Sequence, residues 1–173
     1  MSKAYFEESQ RFTQVWLWIL TICSSLVLVG VALIAVYIQL VKGKPFGNNP
    51  MSDTGVIIFF ISSILFSIIL ILFMKSFHLQ TKVDRLGITY RLLPLKRQWK
   101  TIYREEILDW EIVTKFVFQY GIHYGIKSET LNIKGDKFLK LNLISGKTLF
   151  LGTQFPDQLS LALEKLFDRQ PTI

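Results

Sequence analysis

Residues 55–74 read GVIIFFISSILFSIILILFM, and fifteen of these twenty residues are Val, Ile, Leu or Phe. The stretch contains no Asp, Glu, Lys or Arg. A bilayer core about 30 Å thick requires roughly 20 apolar residues of helix. At about −0.3 to −0.6 kcal/mol each, the fifteen side chains favour insertion by roughly 5–9 kcal/mol. We therefore predict a transmembrane helix over residues 55–75.

A second stretch without charged residues covers residues 15–41 and predicts another transmembrane helix. A cleaved signal peptide fits poorly, because Glu7 and Glu8 precede the stretch and the apolar run is too long. A buried helix of a soluble protein also fits poorly, because the remaining residues are too few to surround two such helices. The two stretches together predict a helical hairpin.

The charged residues set the expected orientation of this hairpin. Hydrophobic residues make up 50% of the chain, yet charge recurs every few residues from Lys75 onward. Lys and Arg accumulate after the second helix, which predicts that both termini are cytoplasmic, although Lys42 and Lys44 argue weakly against it. We expect a multi-pass protein of the inner (cytoplasmic) membrane, divided into an N-terminal tail (1–14), helices at 15–41 and 55–75, an extracytoplasmic loop (42–54) and a cytoplasmic domain (76–173).

The sequence after residue 78 alternates between apolar and polar residues, which is typical of strands with one buried face. Leu139, Leu141 and Leu143, for example, alternate with Lys140 and Asn142. Turn residues separate such segments. We predict about seven short antiparallel strands.

Near the C-terminus, the spacing of the apolar residues changes from that of a strand to that of a helix. Pro156 suits the first turn of a helix, and antiparallel strands closed by one terminal helix predict a PH-like barrel. An SH3-like or OB-like barrel is the structural alternative. The apolar residues that recur with helical spacing are Leu159, Ala162, Leu163, Leu166 and Phe167.

Five segments of the chain form a familiar pattern: FEESQRFTQVWLW (6–18), GITYRLLPL (87–95), EEILDWEIV (105–113), YGIHYGIK (120–127) and GKTLFLGTQFPDQLSLAL (146–163). Together they resemble an uncharacterised bacterial family of small two-span membrane proteins with a PH-like domain. The resemblance covers nearly the whole chain. The resemblance implies a fold and a membrane location, and it does not indicate a biochemical role.

A basic cluster follows the second predicted helix directly, and each of its side chains would gain about 1 kcal/mol near an anionic leaflet. We expect it to face the membrane, either binding acidic headgroups or only fixing the orientation of the hairpin. Its members are Lys75, Lys82, Arg85, Arg91, Lys96, Arg97 and Lys100.

The segment YGIHYGIK combines glycines, which allow close backbone approach, with tyrosines, which offer amphipathic contact surface. It suits a ligand-binding or partner-binding loop and suits a bulged hairpin equally well. Thr153 and Gln154 precede the last helix, where they would either bind the same ligand or cap the helix. The candidate binding residues are Tyr120, Gly121, Tyr124, Gly125, Lys127, Thr153 and Gln154.

Phe116, Val117 and Phe118 break the alternation just before this segment. Three consecutive apolar residues predict either a contact with the membrane interface or a partner, or burial under the C-terminal helix.

Catalytic, metal-binding and cofactor-binding motifs do not occur in the sequence. The single cysteine, Cys23, lies within the first predicted span, and the two histidines are far apart. Neither charge nor aromatic spacing predicts a nucleic-acid surface. We therefore expect no enzyme, no metal and no cofactor.

Taken together, these patterns predict a membrane-anchored, non-enzymatic PH-like module that docks a protein partner at the cytoplasmic face of the bilayer. The alternative is a domain that binds or senses anionic lipid headgroups through its basic juxtamembrane face.

Overall fold

A computed structural model describes residues 4–115 and 120–168 of the chain. The chain divides into two compact units, one formed by residues 13–75 and the other by residues 1–12 together with 76–173. Phe116, Val117 and Phe118 lie outside the described residues.

The first unit contains two long apolar helices. Helix α1 spans Val15–Val36 and continues as a π-helical turn at Tyr37–Val41, and helix α2 spans Asp53–Ser76. Both helices are long and apolar enough to cross a membrane. Large side chains on them, such as Leu26 and Ile69, are widely exposed. Such a surface is unfavourable in water and favourable in lipid.

Small residues dominate the buried positions of these helices. Ser25, Ala32 and Ala35 are buried in α1, and Ser63 and Ser67 are buried in α2. Both α2 serines donate to carbonyl oxygens of the preceding turn, at 2.7 and 2.8 Å. These polar atoms are thus satisfied within the helix, as an apolar environment requires.

The second unit is mostly β-structure. The first sheet has the order β1-β2-β3-β4, and the second has the order β5-β8-β9-β7-β6. The strands are β1 Phe6–Arg11, β2 His78–Val83, β3 Gly87–Leu93, β4 Lys96–Tyr103, β5 Ile107–Thr114, β6 Gly121–Tyr124, β7 Ser128–Asn132, β8 Lys137–Leu143 and β9 Thr148–Gly152.

This arrangement corrects the expected barrel of about seven antiparallel strands. The described residues form nine strands in two sheets, not one closed barrel, and β7 runs parallel to β9. The sequence pattern missed β1 because its buried face carries Glu8 and Gln10, residue types that usually face solvent. It also missed the parallel pair, because alternation shows which face is buried and not which neighbour a strand has.

Strand β1 joins the N-terminal segment to the rest of the domain. It pairs with β2 along its whole length, from Phe6 opposite Val83 to Arg11 opposite His78. The chain passes from β1 into α1 and returns from α2 into β2. The helical hairpin is therefore an insertion between two neighbouring strands of one sheet.

The apolar core lies between the two sheets and helix α3. Helix α3 spans Pro156–Asp168, as the sequence predicts, and it lies against β1, β2 and β8. The fully buried side chains of the core come from both sheets and from α3, and include Leu79, Ile88, Leu92, Leu131, Leu139, Leu141, Leu151, Leu159 and Leu163.

Candidate functional site

A cavity of about 230 Å³ opens where the turn between β6 and β7 lies beside β3 and β4. Three of the seven candidate binding residues, Tyr124, Gly125 and Lys127, line it. The lining combines apolar side chains, hydroxyls and lysines. The other lining residues are Tyr90, Lys100, Ile102, Ile126, Ser128, Glu129, Leu143, Lys147, Thr148 and Leu149.

The segment YGIHYGIK builds one wall of the cavity as a tight hairpin. Strands β6 and β7 pair antiparallel, with Tyr124 opposite Glu129. The Gly125 N–H donates to the Ser128 carbonyl oxygen at 2.7 Å, and a Cβ at Gly125 would lie 2.4 Å from the Ser128 Oγ. A larger residue at position 125 would therefore require the Ser128 hydroxyl to move. The backbone hydrogen bond closes the turn at the mouth of the cavity.

The turn also lies beside the connection between β8 and β9. The Thr148 N–H donates to the Lys127 carbonyl oxygen at 2.8 Å, and Ser128 is the parallel partner of Thr148. This pairing brings Lys127 and Lys147 to the same cavity. Lys147 could not be predicted as a site residue from the sequence, because the two lysines meet only through the parallel pair.

Glu129 connects this wall to the first sheet. Its carboxylate accepts a hydrogen bond from the Lys96 Nζ and lies 3.8 Å from the Lys100 Nζ. Partial burial lowers the pKa of Lys96, but hydrogen bonds and charge from Glu129 and Tyr124 outweigh it, so the pKa of Lys96 is raised overall. Lys96 therefore stays charged and offsets the charge of Glu129.

Tyr90 forms part of the inner wall. The side chain is 1% exposed, and its hydroxyl has no hydrogen-bond partner among the described residues. Burial, together with the nearby Glu129 and Tyr124, raises the pKa of Tyr90, so the hydroxyl stays protonated at neutral pH. Ile88, Tyr90 and Leu92 alternate with polar residues in the sequence, and nothing in this pattern distinguishes Tyr90 from an ordinary core residue.

Tyr120 and Gly121 do not line the cavity. The Tyr120 ring packs edge-on against Phe12, with 6.0 Å between ring centroids. Gly121 has a positive φ of 102° and pairs with Asn132 at the start of the hairpin. Gly121 therefore belongs to the hairpin ladder, and Tyr120 contacts the N-terminal segment.

Thr153 and Gln154 lie away from the cavity too, and both contact strand β1. The Thr153 hydroxyl and the Gln154 N–H each donate to the Glu8 carboxylate, at 2.8 Å in both cases. The Gln10 side-chain amide donates to the Gly152 carbonyl oxygen. These polar contacts join β1 to the end of β9.

Thr153 also bonds to the residue that precedes helix α3. Its hydroxyl oxygen accepts a hydrogen bond from the Phe155 N–H at 3.1 Å. Thr153 therefore links strand β1, strand β9 and the start of α3, and this arrangement was not apparent from the sequence.

The basic cluster is divided among several environments. Lys82 forms an ion pair with Glu7 at 2.8 Å. Lys82 and Arg91 also lie over the Trp99 ring, at 5.2 and 4.3 Å from its centroid. The two members that contact Glu129 belong to β4. The remaining three members, which are exposed, are Lys75, Arg85 and Arg97.

Exposed apolar side chains lie in the turns and adjoining strand ends at one end of the β domain. We define this loop patch as Leu86, Tyr103, Leu108 and Ile144. These four large side chains are 60%, 51%, 73% and 67% exposed, respectively.

Backbone hydrogen bonds join the loops that carry the loop patch. The Arg104 N–H donates to the Leu86 carbonyl oxygen at 3.0 Å. The Ile144 N–H donates to the Glu106 carbonyl oxygen at 2.9 Å. The turns and strand ends that carry the patch are therefore hydrogen-bonded to one another.

Leu108 owes its exposure to an irregularity in β5. Ile107 pairs with Leu143 and Asp109 with Asn142, so Leu108 is an extra residue without a partner in β8. Such a bulge redirects a side chain out of the regular alternation. The Leu108 side chain is therefore directed toward solvent.

Clusters of three or more His, Cys, Asp or Glu side chains that could hold a metal ion do not occur within residues 4–115 and 120–168. Neither His78 nor His123 lines the cavity. The groups that the cavity offers are lysine, carboxylate, hydroxyl and apolar side chains.

Comparison of the sequence with models of known protein families gives no match, and comparison with curated proteins gives none. The architecture itself describes the class of molecule. It is a β domain of two sheets, with an apolar helical hairpin inserted between two neighbouring strands.

The burial of Glu8 predicts a dependence of stability on pH. Burial raises the pKa of Glu8 above 4.5, although hydrogen bonds from Gln154, Thr153 and Gln10 oppose the increase. Folding then favours the protonated carboxyl, so the free energy of unfolding should fall as the pH rises from 4.5 through the raised pKa. We expect Glu8→Gln to remove this decrease, as measured by thermal unfolding of the full-length protein in detergent at a series of pH values.

Glu7→Gln is the matched control, because Glu7 is exposed on the same strand and pairs with Lys82. That variant should retain the decrease. Identical pH dependence in the wild-type protein and in Glu8→Gln would contradict the role assigned to Glu8.

Proposed function

We propose that this protein is a membrane-anchored, non-enzymatic interaction module of the PH-like type, and that it docks a protein partner at the cytoplasmic face of a bacterial membrane. The observation that supports a protein partner most directly is the position of the loop patch. The patch lies at the end of the first sheet opposite to the end that continues into the hairpin.

Strand register supports this placement. Arg11, His78 and Leu93 are neighbours at the end of the sheet where the chain leaves for α1 and returns from α2. The opposite end of the same sheet carries Gly87 and Tyr103, which pair with each other. The length of β2, a strand of 6 residues, separates the two ends by roughly 17 Å.

This separation favours a protein over lipid as the occupant of the loop patch. The connections to the hairpin are short, since residues 12–14 join β1 to α1 and Phe77 joins α2 to β2. The helices are therefore joined to the sheet at the end that does not carry the loop patch. Exposed leucine, isoleucine and tyrosine side chains in water are suited to burial against another protein.

The pairing of β1 with β2 also supports the proposed topology. Both strands belong to one sheet, so the segments before α1 and after α2 must share one side of a membrane that both helices cross. The excess of Lys and Arg after the second helix favours the cytoplasmic side.

The topology can be tested by cysteine labelling, because Cys23 is the only cysteine. In a Cys23→Ser background, Asn48→Cys places a thiol between the two helices, and Ser145→Cys places one between β8 and β9. A membrane-impermeant maleimide added to intact cells should label the first thiol and spare the second until the cells are opened. Labelling of Ser145→Cys in intact cells would overturn the topology.

Docking through the loop patch can be tested by site-specific photo-crosslinking in cells. A photoreactive amino acid at Leu108 or at Ile144 should give an adduct with the same protein. Adding Leu86→Glu should reduce that adduct about tenfold, because a charge then faces a desolvated apolar contact.

Leu161 provides the control position, since it is exposed on α3 and lies outside the loop patch. A photoreactive residue there should give no such adduct, and Leu161→Glu should leave crosslinking from Leu108 unchanged. Equal adducts from Leu161, or none from either patch position, would rule out docking at this surface.

Anionic lipid is the second candidate partner, and the end of the sheet that joins the hairpin supports it. Lys96 pairs with Leu92, so the turn between β3 and β4 lies at this end. That turn contains Leu95, which is 56% exposed, and the exposed Arg97 follows it. A basic side chain near an exposed leucine suits an anionic headgroup layer.

The lipid alternative predicts a stability difference between two arginine variants. Full-length protein in phosphatidylglycerol nanodiscs at low salt should unfold at a higher temperature than in phosphatidylcholine nanodiscs. Arg97→Glu should reduce this difference, whereas Arg85→Glu, at the opposite end of the sheet, should preserve it. Loss of the difference in both variants, or its absence from the wild-type protein, would count against specific lipid contact at this end.

A further inference from the structure

The cavity beside the β6–β7 turn has a positive lining. Lys100, Lys127 and Lys147 contribute three positive charges, and Glu129 is the acidic residue of the lining. Glu129 lies 3.8 Å from Lys100 and also accepts a hydrogen bond from Lys96, which lies outside the lining. The single carboxylate therefore does not balance the positive charge around the cavity.

Tyr90 adds a hydrogen-bond donor to this positive lining. Its hydroxyl is buried and finds no acceptor among the described residues. Residue Tyr90 pairs with Thr81 on one side and with Lys100 on the other, so two neighbouring strands fix its place in the sheet. A buried hydroxyl without a partner destabilises the fold. A bound acceptor would remove this cost.

The lining also contains an apolar wall. Ile102, Leu143 and Leu149 come from three different strands, and Ile126 stands fully exposed at the turn. A bare inorganic ion would leave these surfaces uncovered. The cavity volume of about 230 Å³ is below the range of about 300–1,000 Å³ that is usual for drug-sized ligands.

We propose that this cavity binds a small organic anion, in which a phosphate or carboxylate meets the Tyr90 hydroxyl and the lysines while an aromatic or aliphatic group lies against the apolar wall. The charge of the lysines selects for an anion, and the volume limits its size. This site does not depend on the docking surface at the loop patch, because the two share no residue.

The proposal can be tested by fluorine NMR with the full-length protein in phosphatidylcholine nanodiscs. The probes are para-fluorophenyl phosphate and para-fluorobenzoate, with para-fluorobenzyl alcohol as the neutral control. We expect saturable binding of at least one anion and none of the alcohol. Failure of both anions to bind saturably at millimolar concentration, or equal binding of the alcohol, would overturn the proposal.

Tyr90→Phe is the decisive variant, because it removes one oxygen and keeps the ring. We expect it to weaken anion binding about tenfold, the effect of losing a hydrogen bond to a charged group. The ligand-free variant should unfold at the same or a higher temperature, because the lost hydroxyl had no partner among the described residues. Unchanged anion affinity in Tyr90→Phe would show that the hydroxyl does not contact the ligand and would refute the site as described.

Lysine variants separate the cavity from general surface charge. Lys127→Gln should weaken binding several-fold, whereas Lys165→Gln, on an exposed position of α3, should leave it unchanged. Equal weakening by both would show non-specific attraction and contradict the proposal.

The source of the anion can be distinguished in the same experiment. In phosphatidylglycerol nanodiscs, a lipid headgroup that occupies the cavity should displace the fluorinated probe. If the natural ligand is instead a free metabolite, the probe should bind equally well in both kinds of nanodisc. Either result supports an anion site, and the difference between them assigns its source.

Discussion

The pairing of β1 with β2 is the interaction on which the rest of the structure depends. It makes a single sheet from the segment before the hairpin and the segment after it, which residues 12–77 separate along the chain. The ladder is reinforced by Glu8 and Gln10, whose side chains reach the end of β9. Since a buried carboxyl without partners is costly, these contacts also define where β1 must lie.

The hairpin and the terminal helix could be predicted because each has a strong local signal. Length and apolarity identify residues 55–75, and the spacing of Leu159 and Leu163 identifies α3. Strand β1 has no strong local signal, because its buried positions include the polar residues Glu8 and Gln10. Hydrophobic periodicity cannot report a polar residue whose partner lies 142 or 145 residues away in sequence.

Only some of the residues that line the cavity could be predicted from the sequence. Glycine and tyrosine indicated the β6–β7 hairpin, where Tyr124 and Gly125 line the cavity. Tyr90 and Lys147 could not be connected with that hairpin, because the first comes from the other sheet and the second depends on a parallel pairing. Residues that meet through sheet packing leave no shared pattern along the chain.

The insertion of the hairpin between neighbouring strands has a consequence for synthesis. Strand β1 leaves the ribosome first, and its partner β2 follows only after both apolar helices have been made. A non-local strand pair of this kind forms late, because the intervening loop must close before the contact is gained. Completion of the first sheet thus follows production of the whole hairpin, so a chain that stops within it cannot assemble the folded domain.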